Sequence, residues 1–230
     1  MTGRTRGIVG AIVAVLVVGG ATVWWFVLRD DAPERASLDD DAPTEVSVSA
    51  GETPEGTWTV AQGDDVFVGY RMQELFGGDT IKKTAVGRTT GVTGTLTIEG
   101  TTISGAEVTA DLAGLTSDQG RRDGYLAGNA LETDTFGEAT FALTEPIELD
   151  AVPSVGETVT VTATGDLTIH GVTNAAEVTI EARWDGDTLR VAGSTPIVLA
   201  DYGIEAPNVG GFVAVDDTGE MELELTFERG

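Results

Sequence analysis

His170, the only histidine of the chain, is the first residue whose chemistry has to be considered. A zinc site needs several nitrogen or sulfur ligands, and the sequence contains no cysteine that could join this imidazole. A catalytic histidine would need a nucleophile or an orienting carboxylate beside it. Because His170 lies between Ile169 and Gly171, where a strand meets a turn, we expect it to have a structural or surface role.

Carboxylates are abundant, but their spacing identifies no catalytic pair and no calcium loop. The 230 residues carry 38 acidic and 13 basic side chains, and a net charge of −25 repels nucleic-acid backbones. The acidic pair Asp216 and Asp217 does not have EF-hand spacing, and no glycine cluster has phosphate-loop spacing. We therefore expect no nucleic-acid partner, no metal, no cofactor and no enzymatic activity.

Basic residues are scarce, so their positions attract attention. Arg122 and Asp123 are adjacent, and we expect a local ion pair that pins an irregular segment at residues 117–136. Four further bases lie close together in sequence: Arg71, Lys82, Lys83 and Arg88. A phosphate head group would favour such a cluster, and a solvated loop is the alternative for the two lysines.

Alternation of apolar and polar residues dominates residues 57–230 and predicts the elements that position these groups. The run from Met221 to Phe227 is typical, because apolar side chains alternate there with Glu and Thr. Polar outer faces require that the apolar faces turn inward. The pattern predicts an all-β domain of about eight antiparallel strands, with a short helix or helical turns in residues 117–136.

The inward-facing apolar set is the candidate ligand lining of a barrel lumen. Periodicity does not distinguish a lumen that these side chains fill from one that holds a ligand, and composition alone favours filling. The candidate lining residues are Val66, Val68, Tyr70, Met72, Leu96, Ile98, Phe141, Val161, Leu167, Ile180, Trp184 and Phe212.

The N-terminal residues 1–29 form a separate region that we interpret as a transmembrane anchor. Residues 7–28 are an uncharged apolar run, and at about 1.5 Å per helical residue they cover roughly 33 Å, enough to cross a bilayer core of about 30 Å. Arg4 and Arg6 precede the run and acids follow it, which predicts a cytoplasmic N-terminus and an extracytoplasmic C-terminal domain. A cleaved signal peptide is the alternative.

Residues 30–56 are acidic and contain Pro33, Pro43 and Pro54. Such a composition cannot bury a core, so we expect a disordered, extended tether between the anchor and the domain of residues 57–230.

Short motifs in the domain occur in the order found in a known family. They lie at residues 58–60, 66–75, 92–96, 122–126, 136–141, 165–173 and 201–204. The most specific is Arg122-Asp123-Gly124-Tyr125-Leu126, which resembles the family pattern R-D-x-H-L. The domain thus resembles the YceI-like, polyisoprenoid-binding family. Here Tyr125 stands at the usual histidine, and Glu74 stands where members often carry another histidine.

The resemblance implies a lipocalin-like barrel that holds an isoprenoid chain in an elongated apolar lumen. It therefore favours a ligand cavity over a filled interior. The expected partners are an isoprenoid lipid or prenyl quinone and, through the N-terminal helix, a membrane. The sequence is also compatible with a homodimer. A non-catalytic envelope stress or interaction module with a filled barrel is the alternative function.

Overall fold

The computed structural model describes residues 32–38, 52–63, 65–76, 81–209 and 213–230. The anchor predicted at residues 7–28 lies outside these ranges. Within them, no helix is long and apolar enough to cross a lipid bilayer.

Antiparallel strands account for most of the described chain, as the alternation of the sequence predicts. In chain order they are β1 (Gly56–Val60), β2 (Phe67–Phe76), β3 (Ile81–Thr89), β4 (Val92–Glu99), β5 (Thr102–Asp111), β6 (Thr116–Ser117), β7 (Glu138–Leu143), β8 (Ile147–Glu148), β9 (Thr158–Ile169), β10 (Val172–Trp184), β11 (Thr188–Val198), β12 (Asn208–Val209) and β13 (Val213–Arg229).

Eight of these strands close a barrel. The sheet runs in the order β1-β4-β5-β7-β9-β10-β11-β13, and β13 returns to β1 through the pair Trp58 and Arg229. The predicted eight-stranded antiparallel barrel is therefore confirmed. Beyond β1, the same edge of β13 pairs with β2, and β2 continues the sheet through β3 to the short β6.

The barrel has two unlike ends. The closed end lies at the turns near Gly100 and Gly186, where both glycines have positive φ angles. There the fully buried Trp58 and the nearly buried Trp184 and Phe227 pack together in the core. The opposite end, which we call the mouth, lies where β2 ends and β13 begins.

One short helix crosses the mouth within residues 117–136, as predicted. Helix α1 (Gly120–Tyr125) continues into one π-helical turn at Leu126–Ala130. Leu126 and Leu131 pack against the barrel core, so this segment covers part of the mouth with an apolar face.

Residues 32–38, which we call the strap, lie along the outer wall without regular secondary structure. Arg71 donates to the carbonyl of Pro33 (2.7 Å), and Arg88 donates to the carbonyl of Glu34 (2.9 Å). Leu38 is buried, with 6% of its surface exposed. This part of the predicted tether is thus in contact with the barrel, although the boundaries of the tether remain a prediction.

Candidate functional site

A cavity of about 460 Å³, which we call the upper cavity, occupies the mouth half of the barrel. Strands β2, β3 and β13 supply one wall, and the segment around α1 supplies another. Most lining side chains are apolar, including Leu112, Ile169 and Ile197. Tyr125 belongs to the lining and is 38% exposed, so the cavity reaches the surface at the mouth.

A second cavity of about 120 Å³, which we call the lower cavity, lies in the closed half of the barrel. Its lining is almost entirely aliphatic and aromatic, because successive inward positions are Val, Ile, Leu, Ala and Phe. Val68, Ala139 and Met221 border both cavities and separate them. Of these three side chains, Met221 is the longest and the most flexible.

Eight of the twelve predicted lining residues border a cavity. Tyr70 and Met72 line the upper cavity and Val68 lines both. The remaining five line the lower cavity: Leu96, Phe141, Val161, Leu167 and Ile180.

The other four predicted residues are placed differently. Val66, Ile98 and Trp184 are buried in the core and do not border either cavity. The indole N–H of Trp184 donates to the carbonyl of Gly186 (2.7 Å), which holds the ring at the closed end. Phe212 lies outside the described residues.

A buried ion pair between Glu74 and Arg122 forms the polar part of the upper cavity wall. The guanidinium donates from Nε to Oε1 (2.8 Å) and from Nη2 to Oε2 (2.9 Å). The two side chains retain only 10% and 12% exposure. Burial by itself would lower the pKa of Arg122, but its bonds to Glu74 and Asp118 raise that pKa above its ordinary value.

Arg122 does not pair with its neighbour Asp123, and the predicted local ion pair was wrong. Arg122 bonds Asp118 (2.6 Å) and Ser117 (3.0 Å) in addition to Glu74. Asp123 instead accepts from the backbone N–H (3.1 Å) and the hydroxyl (2.5 Å) of Ser117. Adjacent helical residues point in different directions, so each side chain reaches a separate partner. The bonds of Arg122 and Asp123 nevertheless fix the position of α1, as predicted.

Tyr70 contributes an unpaired polar atom to this region. Its ring lies against Gly87, where a Cβ atom would come within 2.4 Å of the ring. The buried hydroxyl has no hydrogen bond of normal geometry to any described residue. Its interaction with the nearby Ser117 hydroxyl is weak, because that hydroxyl is engaged by Asp123 and Arg122. Burial raises the pKa of Tyr70 well above its ordinary value, against a smaller lowering by the charge of Arg122.

Two bases of the predicted phosphate cluster face away from the cavity. Glu222, with 2% side-chain exposure on the outer wall, accepts from Arg71 Nε (3.3 Å) and Arg88 Nη2 (2.8 Å). Lys82 and Lys83 lie on β3 near the mouth. Arg71 and Arg88 therefore hold the strap and Glu222 rather than a ligand head group.

His170 is a packed residue at the β9–β10 turn. Its ring meets Phe136 edge to face at 4.3 Å, and Nε2 lies 3.0 Å from a carboxylate oxygen of Glu132. Its φ angle of 52° places the backbone in the left-handed region. Within the described part of the chain, no group of three or more His, Cys, Asp or Glu residues is arranged to hold a metal ion.

Fold and site together define a closed antiparallel barrel with an apolar cavity that opens at one end. The model of the YceI-like domain family matches residues 58–227, so the chain belongs to the YceI-like family.

Curated relatives and solved structures are consistent with this assignment. A UPF0312 protein of Pseudomonas putida is 30% identical over 193 residues, covering 77% of this chain and 89% of the relative. A UPF0312 protein of Vibrio parahaemolyticus is 32% identical over 131 residues, covering 53% of this chain and 61% of the relative.

Two solved structures share the fold at low identity. A polyisoprenoid-binding domain from Saccharophagus degradans has a TM-score of 0.57 at 19% identity, over 76% of this chain and 98% of that domain. BcnA from Burkholderia cenocepacia has a TM-score of 0.51 at 18% identity, over 68% of this chain and 95% of BcnA.

Sequence reasoning missed most of the upper lining because much of it lies outside the strands. Leu115 follows a single helical turn, and Tyr202 and Ile204 lie in or after another. The period-two pattern carries no signal in such segments. Ile169 was detectable, because it continues the inward face of Leu167 on β9.

Proposed function

We propose that this protein binds an isoprenoid lipid, a polyprenyl chain or prenyl quinone, in the upper cavity and serves as its carrier. The single observation that carries the proposal is the apolar cavity of about 460 Å³ open at the mouth. Protein ligand pockets are on the order of 300–1,000 Å³ and mostly apolar, with a few polar groups. Membership of the YceI-like family supports the choice of ligand, as does the shared fold of a domain described as polyisoprenoid-binding.

Binding of the chain would draw on the hydrophobic effect. Each methylene removed from water contributes roughly 0.8 kcal/mol, so a branched C5-repeat chain gains affinity with each unit that enters the barrel. The lower cavity extends the same axis beyond Met221, which gives space for further units when that side chain moves.

Polar groups at the mouth suit a small head group. Gln119 and Arg121 are exposed and border the cavity, while Arg122 is occupied by Glu74 and Asp118. We infer a non-catalytic role, because the buried ionised groups of the lining, Glu74 and Arg122, are engaged in structural bonds and most of the lining is apolar.

The proposal places the domain outside the cytoplasmic membrane, on a single N-terminal span. The apolar run at residues 7–28 and the preceding Arg4 and Arg6 support this orientation. In this arrangement the protein would exchange its ligand with the bilayer to which it is anchored.

Native mass spectrometry of the full chain in detergent tests ligand binding. We expect recovery of a bound lipid, or uptake of added prenyl quinone. Ala85→Phe projects a ring into the upper cavity and should reduce uptake at least tenfold, because Ala85 is 97% buried in the lining. Ala113→Phe adds the same ring at an exposed position and should bind normally. Repeated recovery of folded, empty protein that takes up no quinone would contradict the proposal.

A further inference from the structure

The strap has a defined direction along the barrel. Strand β13 runs from the mouth to the closed end, and Glu181 lies level with Glu224 in the sheet through Ala192. Three contacts follow this direction in order: Arg35 with Glu220, the Ala36 N–H with Glu222, and the Leu38 N–H with Glu181. The chain thus arrives on the mouth side of the wall and leaves toward the closed end.

The point of arrival lies close to the mouth. Ala32 borders a surface groove with Gln73 and Thr84. From Gln73 to Phe76, the last residue of β2, three residues of strand cover about 10 Å. The strap therefore begins about 10 Å from the mouth, beside β2 and β3.

The predicted membrane span ends very near this point in sequence. From Leu28 to Ala32 a fully extended chain reaches at most about 14 Å. This reach is similar to the distance of about 10 Å that separates the start of the strap from the mouth. Without the strap, the chain from Leu28 to Glu52 would reach up to roughly 80 Å, and the barrel could take any orientation.

The same side of the mouth carries the charge that an anionic lipid surface would attract. Lys82 and Lys83 are the only lysines of the chain, and neither has an ion-pair partner among the described residues. Arg121, which borders the upper cavity, is exposed as well. Acidic Asp216 and Asp217 lie on the irregular part of β13 near the same end, and Asp118 is exposed close to Arg121, so the attraction is local to the lysines of β3.

We propose that the strap holds the barrel with its mouth against the outer surface of the bilayer, with Lys82, Lys83 and Arg121 toward anionic head groups. This inference rests on the proposed anchor and lipid-binding function. An apolar ligand would then move between the bilayer and the lumen without crossing water, because the opening faces the lipid.

Fluorescence quenching in vesicles tests the orientation of the full chain. The chain has no cysteine, so Gln119→Cys at the mouth and Asp187→Cys at the closed end each give one labelling site; both positions are exposed. The vesicles contain phosphatidylcholine, phosphatidylglycerol and a lipid with a quencher on its head group. We expect several-fold stronger quenching of the Gln119 label than of the Asp187 label.

Replacing residues 33–38 by a glycine-serine sequence of the same length removes the strap and should make the two labels respond alike. The same replacement at residues 44–49 leaves the strap intact and should preserve the difference. Arg35→Glu, which repels Glu220, should reduce the difference in part. Equal quenching in the unaltered chain, a difference that survives removal of the strap, or release of the chain from vesicles at alkaline pH would overturn the inference.

A parallel measurement in detergent separates this inference from the proposed function. Removal of the strap should leave uptake of prenyl quinone in detergent unchanged and slow its uptake from vesicles several-fold. A chain that takes up no quinone in detergent would contradict the proposed ligand, whereas the quenching difference would still report the orientation of the barrel. Normal uptake from vesicles without the strap would contradict the direct transfer proposed here.

Discussion

The two halves of the barrel share one pattern of alternation but have different interiors. The mouth half contains about 460 Å³ of cavity, an ion pair in its wall and the unpaired Tyr70 hydroxyl. The closed half contains about 120 Å³ and ends in a packed group of large aromatic side chains that includes Trp58. Similar inward faces therefore produce a hollow or a packed interior, depending on how the sheet closes.

The two halves of the barrel close differently because β1 and β2 pair with different parts of the same edge of β13. At the closed end β1 joins β13 to β4, so backbone hydrogen bonds complete the wall. At the mouth, β2 leads to β3 and β6, and the path of the sheet ends there. The segment around α1 and the turn at Leu199–Tyr202 complete this half with side chains. Such irregular segments keep the walls apart and leave space for a ligand.

Trp58→Ala should produce the largest loss of stability, about 3–5 kcal/mol, since it leaves a cavity at a fully packed position. Trp58 is fully buried, donates to the carbonyl of Pro54 (2.8 Å) and stacks against Arg229 (4.6 Å). Urea denaturation measures the loss. Ile197→Ala, in the wall of the upper cavity, should cost only about 1–2 kcal/mol, because fewer neighbours surround the deleted atoms. Equal losses would contradict the contrast between the two halves.

Breaking the Glu74–Arg122 pair should cost about 2–3 kcal/mol for either Glu74→Gln or Arg122→Met. Removing one partner of a fully buried pair costs about 3–5 kcal/mol, and the residual exposure of these two side chains reduces that value.

A double-mutant cycle separates this pair from general damage to the mouth. The double variant should be less destabilised than the sum of the single variants, because neither charge is left alone. The more exposed pair Arg190 and Glu224 is the control, for which we expect less than about 1 kcal/mol. Additive losses at Glu74 and Arg122 would show that the two side chains are not coupled.

Ala163→Phe and Ala85→Phe insert the same ring into the two cavities. Both alanines are buried, and they line the lower and upper cavity respectively. A ring takes up most of the lower cavity of about 120 Å³ and leaves little freedom to choose an unstrained rotamer, so Ala163→Phe should cost about 1–3 kcal/mol through overpacking. Ala85→Phe should cost less than half as much, because the upper cavity accommodates the ring. A reversed order of midpoints in urea would contradict the assigned volumes.

The barrel could be predicted because alternation is a local signal. Inward positions such as Val68, Phe141 and Leu167 follow from period two on their own strands. The same rule indicates that Arg71 faces outward, since it lies between the inward Tyr70 and Met72. The alternation alone therefore argues against the prediction that Arg71 binds a ligand head group, and its contacts on the outer wall agree.

Contacts between distant segments could not be predicted. Glu74 and Arg122 are 48 residues apart, and the buried Glu222 meets Arg71 from a distance of 151 residues. Glu74 occupies an inward position on β2, like Tyr70 and Met72, but nothing in that strand identifies Arg122 as its partner. Glu222 occupies an outward position on β13, where a carboxylate is usually solvated. The volume of the lumen could not be predicted either, because it depends on how α1 and the turns fill the mouth.

Of these variants, Tyr70→Phe should change the free energy of unfolding least, and it should stabilise the protein where the others destabilise it. The indole N–H groups of Trp58 and Trp184 at the closed end both donate to backbone carbonyls, whereas the Tyr70 hydroxyl at the mouth is buried without a hydrogen bond. A buried polar group without a partner costs about 1–3 kcal/mol, so its removal should stabilise the ligand-free protein by about 1 kcal/mol. Urea denaturation of the ligand-free protein, with Tyr202→Phe as the control, measures the gain. A loss of stability would show that the Tyr70 hydroxyl is satisfied in solution, and the contrast between the two ends would then rest on volume alone.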